Sequence, residues 1–162
     1  MPKFTPVRIT GLITILILLM LPFAAGTSSQ ASPEGADAKR FVGTWRAVQD
    51  NQIGIMIYDS LGNMAVQVMP TRPRKPYAGA QPTPDEAKDA LTGYLAYFGT
   101  YTVDEKAHTI THHRKGSVTP GLVGQDAVRH YEFQPNDRLV LIPVDTGNRI
   151  NWERAKGAIE NY

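Results

Sequence analysis

Two adjacent histidines, His112 and His113, lie in the segment Thr109–Gly116, which reads TITHHRKG. A histidine side chain titrates near neutral pH and can anchor a ligand, bind a metal ion or act as a general acid or base. Neighbouring residues of a β-strand point to opposite faces, so only one of the two rings can face the interior of a sheet. The chemistry open to each histidine therefore depends on the strand that carries it.

The pattern of the surrounding residues assigns the two rings to different faces. We expect Asp104–Ala107 to form a hairpin loop that places Tyr101 opposite Ile110 and Gly99 opposite His112. One face of this hairpin then carries Tyr, Val and Ile side chains together with His112, whereas the other carries threonines and the second histidine. The sequence predicts that His112 points into the interior and that its neighbour points to solvent.

Three hypotheses follow for an inward His112. The ring could be a buried group bonded to a tyrosine or an acid, a polar anchor for a ligand, or a general acid or base that works with Tyr97. A metal site is not expected, because the chain has no His-x-His or Glu-x-x-His pair to fix its geometry. No cofactor is expected either.

A second candidate group lies on a later strand with the sequence RHYEF. Arg129, Tyr131 and Phe133 share one face of that strand, and a guanidinium and a phenol can together hold one carboxylate. If this face is the interior, these residues line a ligand site with Tyr101 and His112. A bulge in the hairpin would reverse the face and leave Arg129 to pair on the surface with Glu132 or Asp126.

One helix is predicted, and it begins at Thr83. Thr83 caps the helix, Pro84 suits its first turn and Glu86 completes a capping box. The apolar residues that follow share one helical face, and the helix is expected to end near Phe98. They are Ala87, Leu91, Tyr94, Leu95 and Phe98. Tyr97 would then lie on this helix, with its hydroxyl at the mouth of the fold.

The remaining apolar segments are short, alternate in polarity and are separated by turn residues, which predicts about eight antiparallel strands. They are Phe41–Val48, Ile53–Tyr58, Met64–Met69, Thr100–Val103, Thr109–His113, Ala127–Phe133, Arg138–Pro143 and Arg149–Arg154. The fold class is therefore all-β, as a sandwich or a barrel, with one helix between strands 3 and 4.

The N-terminus has the features of a secretory signal peptide over residues 1–31. Lys3 and Arg8 precede an apolar run, Ile9–Ala25, and small polar residues follow it. We expect export to a periplasm or to the outside of the cell; an uncleaved membrane anchor is the alternative. Residues 32–39 are then expected to be a flexible linker. The signal segment is the only contact with a membrane that we expect.

Charge gives no support to a nucleic-acid partner. The whole chain has 17 Lys and Arg against 15 Asp and Glu, and cleavage after residue 31 removes Lys3 and Arg8 but no acid. The mature chain is then balanced at 15 of each, without the excess of basic residues that nucleic-acid binding requires. The chain also has no cysteine, so an exported domain must depend on its core rather than on disulfides.

Four stretches together resemble the small bacterial and fungal lipocalin-like proteins. They are Gly43-Thr44-Trp45, Tyr94–Glu105, Thr111–Phe133 and Trp152-Glu153-Arg154. The resemblance implies a lipocalin-like barrel over residues 40–156, followed by a tail at 157–162. It also implies a structural pair, in which Arg154 of the last strand lies across Trp45 of the first.

A barrel of this kind implies a binding protein for a small apolar or amphipathic molecule, which could carry a carboxylate. Arg129, Tyr131 and His112 would be its polar anchors. The alternative is an isomerase- or cyclase-type enzyme that uses the same cavity, with His112 and Tyr97 or Tyr131 as catalytic groups. A third hypothesis is an interaction domain without a small ligand.

Overall fold

Eight strands form one closed antiparallel barrel in a computed structural model, which describes residues 35–158. Each strand pairs with the next along the chain, and the last pairs with the first. The elements are α1 (Ala36–Phe41), β1 (Gly43–Ala47), β2 (Gln52–Tyr58), β3 (Asn63–Pro70), α2 (Pro84–Leu91), β4 (Leu95–Asp104), β5 (Thr109–Ser117), a 3-10 turn (Pro120–Leu122), β6 (Asp126–Gln134), β7 (Arg138–Pro143) and β8 (Ile150–Arg154). The predicted fold class, with a helix between strands 3 and 4, is confirmed.

Alternation of side chains fills the interior of the barrel. On β3, for example, Met64, Val66 and Val68 are buried while the residues between them are at least partly exposed. The inward side chains of all eight strands meet in one cluster of buried residues that is rich in aromatic rings. The centre of the barrel is thus a packed core formed by the protein itself.

The predicted helix begins where expected but ends early. Thr83 and Glu86 form the capping box, yet α2 stops at Leu91 and none of its residues is buried. Gly93 follows with a φ of 77°, a left-handed conformation that ends the helix. The prediction that the helix runs to Phe98 is wrong, because pairing of β4 with β3 gives these residues both backbone hydrogen bonds and burial.

Tyr97 accordingly lies on β4 rather than on a helix. Its side chain is buried inside the barrel, opposite Val66 of β3. The segment that reads as a helical stripe from Leu91 to Phe98 also fits a strand, since Leu95, Tyr97 and Tyr101 recur at even spacing. Both helical and strand periodicity fit this segment, and its pairing with β3 makes it a strand.

A short helix replaces the end of the expected linker. Residues 36–41 form α1, in which Ala38 and Phe41 are both fully buried, so the linker prediction is wrong from residue 36 onwards. The predicted first strand also begins later, at Gly43. The predicted signal peptide, residues 32–34 and the last four residues of the expected tail lie outside the described residues.

The β4–β5 hairpin has the predicted facing but a different register. Tyr101 lies opposite His112, and Gly99 lies opposite Arg114 rather than the histidine. The loop starts one residue later than expected, and the Asp104 carboxylate accepts the Ala107 N–H at 2.9 Å. The register is therefore shifted by two residues, which leaves every side chain on its predicted face.

The two ends of the barrel are built differently. At one end α1 lies across the opening, and the Phe41 ring contacts the rings of Tyr58, Tyr131 and Phe133 at centroid distances of 5.5, 5.0 and 4.8 Å. We call this the closed end. At the other end, the open end, β4, β6 and β8 begin and β7 finishes. The connection through α2 also lies at the open end, because it joins β3 to β4.

Candidate functional site at the open end of the barrel

A hydrogen-bonded group of four side chains lies between the core and the open end. His112 of β5 has its Nε2 2.6 Å from the Tyr58 hydroxyl and its Nδ1 2.8 Å from the Tyr97 hydroxyl. Arg129 of β6 places Nη1 3.2 Å from His112 Nδ1 and Nη2 3.1 Å from the Tyr97 hydroxyl. Four different strands, β2, β4, β5 and β6, thus supply one polar cluster.

The guanidinium of Arg129 fixes the proton on the imidazole of His112. A guanidinium can only donate, so His112 Nδ1 must accept, and the neutral ring then carries its proton on Nε2. The Nε2–H donates to the Tyr58 hydroxyl, while the Tyr97 hydroxyl accepts from Arg129 and donates to Nδ1. Nδ1 has one lone pair, which these two donors share, and each bond in the group then has a donor and an acceptor.

His112 is held in its neutral form. The side chain has 0% of its surface exposed. Burial, reinforced by the positive charge of Arg129 and then Arg114, holds the pKa of His112 well below its ordinary value. Burial also raises the pKa of the Tyr58 hydroxyl well above its usual range and, less strongly, that of Tyr97. The cluster is therefore uncharged apart from the guanidinium.

Arg129 has no carboxylate partner among residues 35–158. Its donors go to the His112 ring, the Tyr97 hydroxyl and the Ala127 carbonyl, the last at 3.0 Å. Neither surface partner considered from the sequence pairs with it, since Glu132 binds Arg149 and Asp126 binds His113. A half-buried cation without a counter-ion is an electrostatic feature that an anionic ligand can complete.

Arg129 also forms part of the wall of a cavity of about 500 Å³ at the open end. The apolar part of the wall comes from β4, β6, β8 and the β7–β8 connection, and it includes Leu95, Val128, Val144 and Ile150. The wall also includes the carboxylates Asp126 and Asp145, and a volume of this size is typical of small-molecule sites.

A second guanidinium, that of Arg114, lines the same cavity. It donates to the carbonyls of Gln125 and Asp126 at 2.9 and 3.4 Å, and it lies 5.8 Å from the centre of the Tyr97 ring. Among the residues that the structure describes, Arg114 is not in an ion pair with a carboxylate. Two cations therefore flank Tyr97 at this end of the barrel.

Sequence reasoning did not find Arg114, because simple alternation gives no reason to single it out. The strand register shifts at Phe98/Gly99, so that Gly99 pairs with Arg114, Phe98 pairs with Gly116 and Lys115 is left unpaired. At Gly99 a Cβ atom would overlap the backbone of His113, so this close approach requires glycine. In the sequence, the available signal for this bulge was the presence of two glycines, Gly99 and Gly116, in the segments that form the hairpin.

The other residues expected to bind ligand pack elsewhere. The Tyr131 hydroxyl donates to Asp37 Oδ2 of α1 at 2.9 Å, and the Tyr101 hydroxyl donates to the Asp59 carbonyl at 2.9 Å. Phe133 packs against Phe41. Arg129 and Tyr131 both face inward, but they do not converge on one carboxylate position, because the phenol is already committed to α1.

The geometry is unfavourable for direct catalysis by His112. A general acid or base must reach the proton it transfers, and this ring has no exposed surface. Tyr97 is also buried, and its hydroxyl binds His112 and Arg129. The arrangement serves to hold a guanidinium in place.

The second histidine faces outward, as alternation predicts. His113 Nδ1 lies 2.8 Å from Asp126 Oδ1, and its Nε2 lies 3.0 Å from the Thr102 hydroxyl.

No group of three or more potential metal ligands occurs within residues 35–158. In the same region no helix has the length and apolar character needed to cross a membrane.

The structural pair expected from the resemblance, Arg154 and Trp45, is in contact. The Arg154 guanidinium lies 4.2 Å from the Trp45 ring centre, and β1 and β8 pair these two residues directly. Arg154 also donates to the Val42 carbonyl at 2.8 Å, and the Trp45 indole N–H donates to the Phe41 carbonyl at 2.8 Å. Together these contacts fasten α1 to the closed end.

Comparison with known proteins agrees with this architecture. No curated protein matches the chain. The family described as a lipocalin-like domain matches residues 34–159, which include the whole barrel and α1. The matched range extends beyond the expected domain of residues 40–156 at both ends. With an eight-stranded closed barrel and a match over most of its length, the chain belongs to the lipocalin-like domain family.

Proposed function

We propose that the protein binds a small amphipathic molecule at the open end of its barrel, with an anionic head group on Arg129 and an apolar body against the cavity wall. The lipocalin-like fold supports small-molecule binding in general. The observation that carries the finer proposal is the guanidinium of Arg129, which borders the 500 Å³ cavity and has no carboxylate partner within residues 35–158.

A carboxylate is the head group that fits best. Arg129 is oriented by Tyr97 and His112, so a ligand need not pay the full cost of ordering a flexible side chain. Hydrogen bonds to charged groups contribute about 1.5–3 kcal/mol each. Arg114 adds a second positive charge to the same cavity, whose wall also includes the carboxylates of Asp126 and Asp145.

The test compares three ligands with the same apolar chain: decanoate, decanol and decylamine. Isothermal titration calorimetry should show decanoate binding at least tenfold more tightly than decanol, which corresponds to about 1.4 kcal/mol. Decylamine should bind more weakly than decanoate, because an ammonium group cannot accept the hydrogen bonds that the Arg129 guanidinium donates. Equal affinities for decanoate and decanol would remove the anion site.

Variants locate the site. Arg129→Met keeps the length of the side chain but removes the charge, and it should abolish the preference for decanoate over decanol. Arg149→Met is the matched control, because Arg149 is exposed and binds Glu132 at 2.6 Å on the outer face. A variant without Arg129 that still prefers decanoate would contradict the proposal.

We also propose that the protein is exported, a proposal supported by the basic start, the apolar run and the small-residue segment of residues 1–31. Mass spectrometry of the protein purified from its cell envelope or medium should give an N-terminus close to residue 27, after Ala24-Ala25-Gly26, or residue 32, after Ser29-Gln30-Ala31. An intact N-terminus in a protein held by the membrane would favour the anchor instead.

A further inference from the structure

The cavity at the open end is bordered by charged residues of both signs. Arg114 and Arg129 are its two cations, and Asp126 and Asp145 are its two carboxylates. The formal charges of these four residues sum to zero. A site with balanced charge is complementary to a ligand that carries both signs, whereas a site for a simple anion needs only the positive groups. The partners of each charged side chain therefore bear on the class of ligand.

Two of the four charged side chains are already bonded within the protein. The Arg114 guanidinium donates to the backbone carbonyls of Gln125 and Asp126 at 2.9 and 3.4 Å. The Asp126 carboxylate lies on the outer side of the sheet, where its Oδ1 is 2.8 Å from His113 Nδ1. These contacts hold Arg114 and Asp126 in place without a ligand.

Asp145 is the carboxylate of the cavity that has no partner. Within residues 35–158 its side chain makes neither a hydrogen bond nor an ion pair. Arg129 in turn has no carboxylate partner in the same part of the chain. A cation and a carboxylate thus border one cavity, and each lacks a partner of opposite charge.

A turn holds the backbone of Asp145 in the β7–β8 connection. The Gly147 N–H donates to the Pro143 carbonyl at 2.8 Å, and Gly147 has a φ of 69°, a left-handed conformation that glycine adopts without strain. The Val144 N–H donates to the Val128 carbonyl at 3.1 Å, so the pairing of β6 with β7 continues one residue beyond the end of β7. Asp145 therefore lies on an ordered part of the rim.

Arg129 and Asp145 are close enough to bind one small head group. Pro143 lies opposite Arg129 in the register of β6 and β7, and Asp145 follows Pro143 by two residues. With strands about 4.8 Å apart and a rise of about 3.3 Å per residue, the two Cα atoms are roughly 8 Å apart. The two side chains do not pair with each other, although they border the same cavity. A ligand with an acceptor and a donor on neighbouring atoms can bridge them.

We propose that the ligand has an amino acid head group, with its carboxylate on Arg129 and its ammonium group on Asp145. The apolar chain of the ligand then lies against the cavity wall, which includes Leu95 and Ile150. This inference rests on the function proposed above and narrows its class of ligand from amphipathic anions to amphipathic zwitterions. Because Asp145 is exposed, solvent weakens its attraction for the ammonium group, and the gain in affinity is about two- to fivefold.

The experiment compares three ligands with the same chain length: decanoate, 2-hydroxydecanoate and 2-aminodecanoate. Calorimetric titration at neutral pH should show 2-aminodecanoate binding about two- to fivefold more tightly than decanoate. The affinity of 2-hydroxydecanoate should lie between the other two, because its hydroxyl donates a hydrogen bond but carries no charge. Salt at about 1 M should reduce the preference, since it shortens the Debye length to about 3 Å.

Variants of Asp145 locate the ammonium site. Asp145→Asn keeps the shape of the side chain but removes its charge, so the ratio of the affinities for 2-aminodecanoate and decanoate should fall to about one. Asp145→Lys should reverse the preference, because it places a cation beside the ammonium group. Asp50→Asn is the matched control, since Asp50 is exposed in the β1–β2 connection at the same end of the barrel but outside the cavity wall. This control should keep the ratio of the parent protein.

Three results would overturn the inference. They are equal affinities of the parent protein for 2-aminodecanoate and decanoate, a preference that persists in Asp145→Asn, and a preference lost equally in Asp50→Asn. Any of these results leaves the anion site on Arg129 in place if the parent protein prefers decanoate to decanol and Arg129→Met does not. A parent protein that binds none of these ligands would overturn both proposals.

Discussion

Two inward residues of β6, Arg129 and Tyr131, stand two positions apart on the same face of the same strand, yet they have opposite surroundings. Tyr131 lies at the closed end, where α1 supplies Asp37 for its hydroxyl and Phe41 for its ring. Arg129 lies towards the open end, where a cavity replaces the helix and no carboxylate of the described residues forms an ion pair with it. The comparison indicates that the element at each end of the barrel determines the role of an inward polar side chain. Such a side chain is bonded within the protein at the closed end and can bind a ligand at the open end.

Removal of the closed-end cover should have the largest effect. Phe41→Ala should lower the free energy of unfolding by about 3–5 kcal/mol, because the side chain is fully buried among three other rings. Urea denaturation followed by tryptophan fluorescence measures the change. Leu61→Ala, at an exposed turn, should change stability by less than about 0.5 kcal/mol. A Phe41→Ala protein as stable as the control would show that α1 does not close the barrel.

The neutral state of His112 should make stability depend on pH. Since burial lowers the pKa of His112 in the folded state, the unfolded chain binds the proton more readily below about pH 6.5. Stability should therefore be highest above that pH and should fall by up to about 1.4 kcal/mol per unit as the pH decreases towards the folded-state pKa. Urea midpoints at several pH values measure the slope.

The His112→Gln variant tests whether this histidine causes the dependence of stability on pH. The variant lacks the buried imidazole, so the dependence of stability on pH between about 6.5 and 5 should become much shallower. His113→Gln is the matched control, because His113 is on the outer face. If the dependence of stability on pH disappears in His113→Gln but persists in His112→Gln, then it arises from the outer histidine.

Loss of the Tyr131 hydroxyl should affect stability alone. Tyr131→Phe removes its hydrogen bond to Asp37 and should cost about 1–1.5 kcal/mol in unfolding free energy. Its affinity for decanoate should not change, whereas Arg129→Met should lose the preference for decanoate. Calorimetric titration together with urea denaturation of both variants measures the two quantities. Reduced decanoate affinity in Tyr131→Phe would mean that the two ends share one ligand site.

The smallest effect is expected at the open end, in α2. Thr83→Ala removes a capping box, a change that costs a helix about 1 kcal/mol, but none of the residues of α2 is buried. Global unfolding should therefore shift by less than this amount, while amide exchange in residues 84–91 accelerates. Equal destabilisation of the barrel core would show that α2 is coupled to the sheet.

Sequence reasoning was strongest where the evidence was local. The capping box at Thr83 and Glu86 depends on residues three apart, and both partners lie where the motif requires. The inward facing of His112 depends on alternation alone, which a register shift of two residues does not disturb. The end of α2 was misjudged because helical and strand spacing both fit Leu91–Phe98, and only β3 resolved that ambiguity.

The sequence by itself determined an all-β chain with eight strands, the start of one helix and the faces of its histidines, because turn residues and side-chain alternation act over a few residues. Only the tertiary structure decided that α1 covers one end, that the bulge turns Arg114 into the cavity, and that Tyr131 is bonded while Arg129 lacks a carboxylate partner among the described residues. These outcomes depend on contacts between residues far apart in the chain, such as Asp37 and Tyr131, whose meeting is set by closure of the barrel.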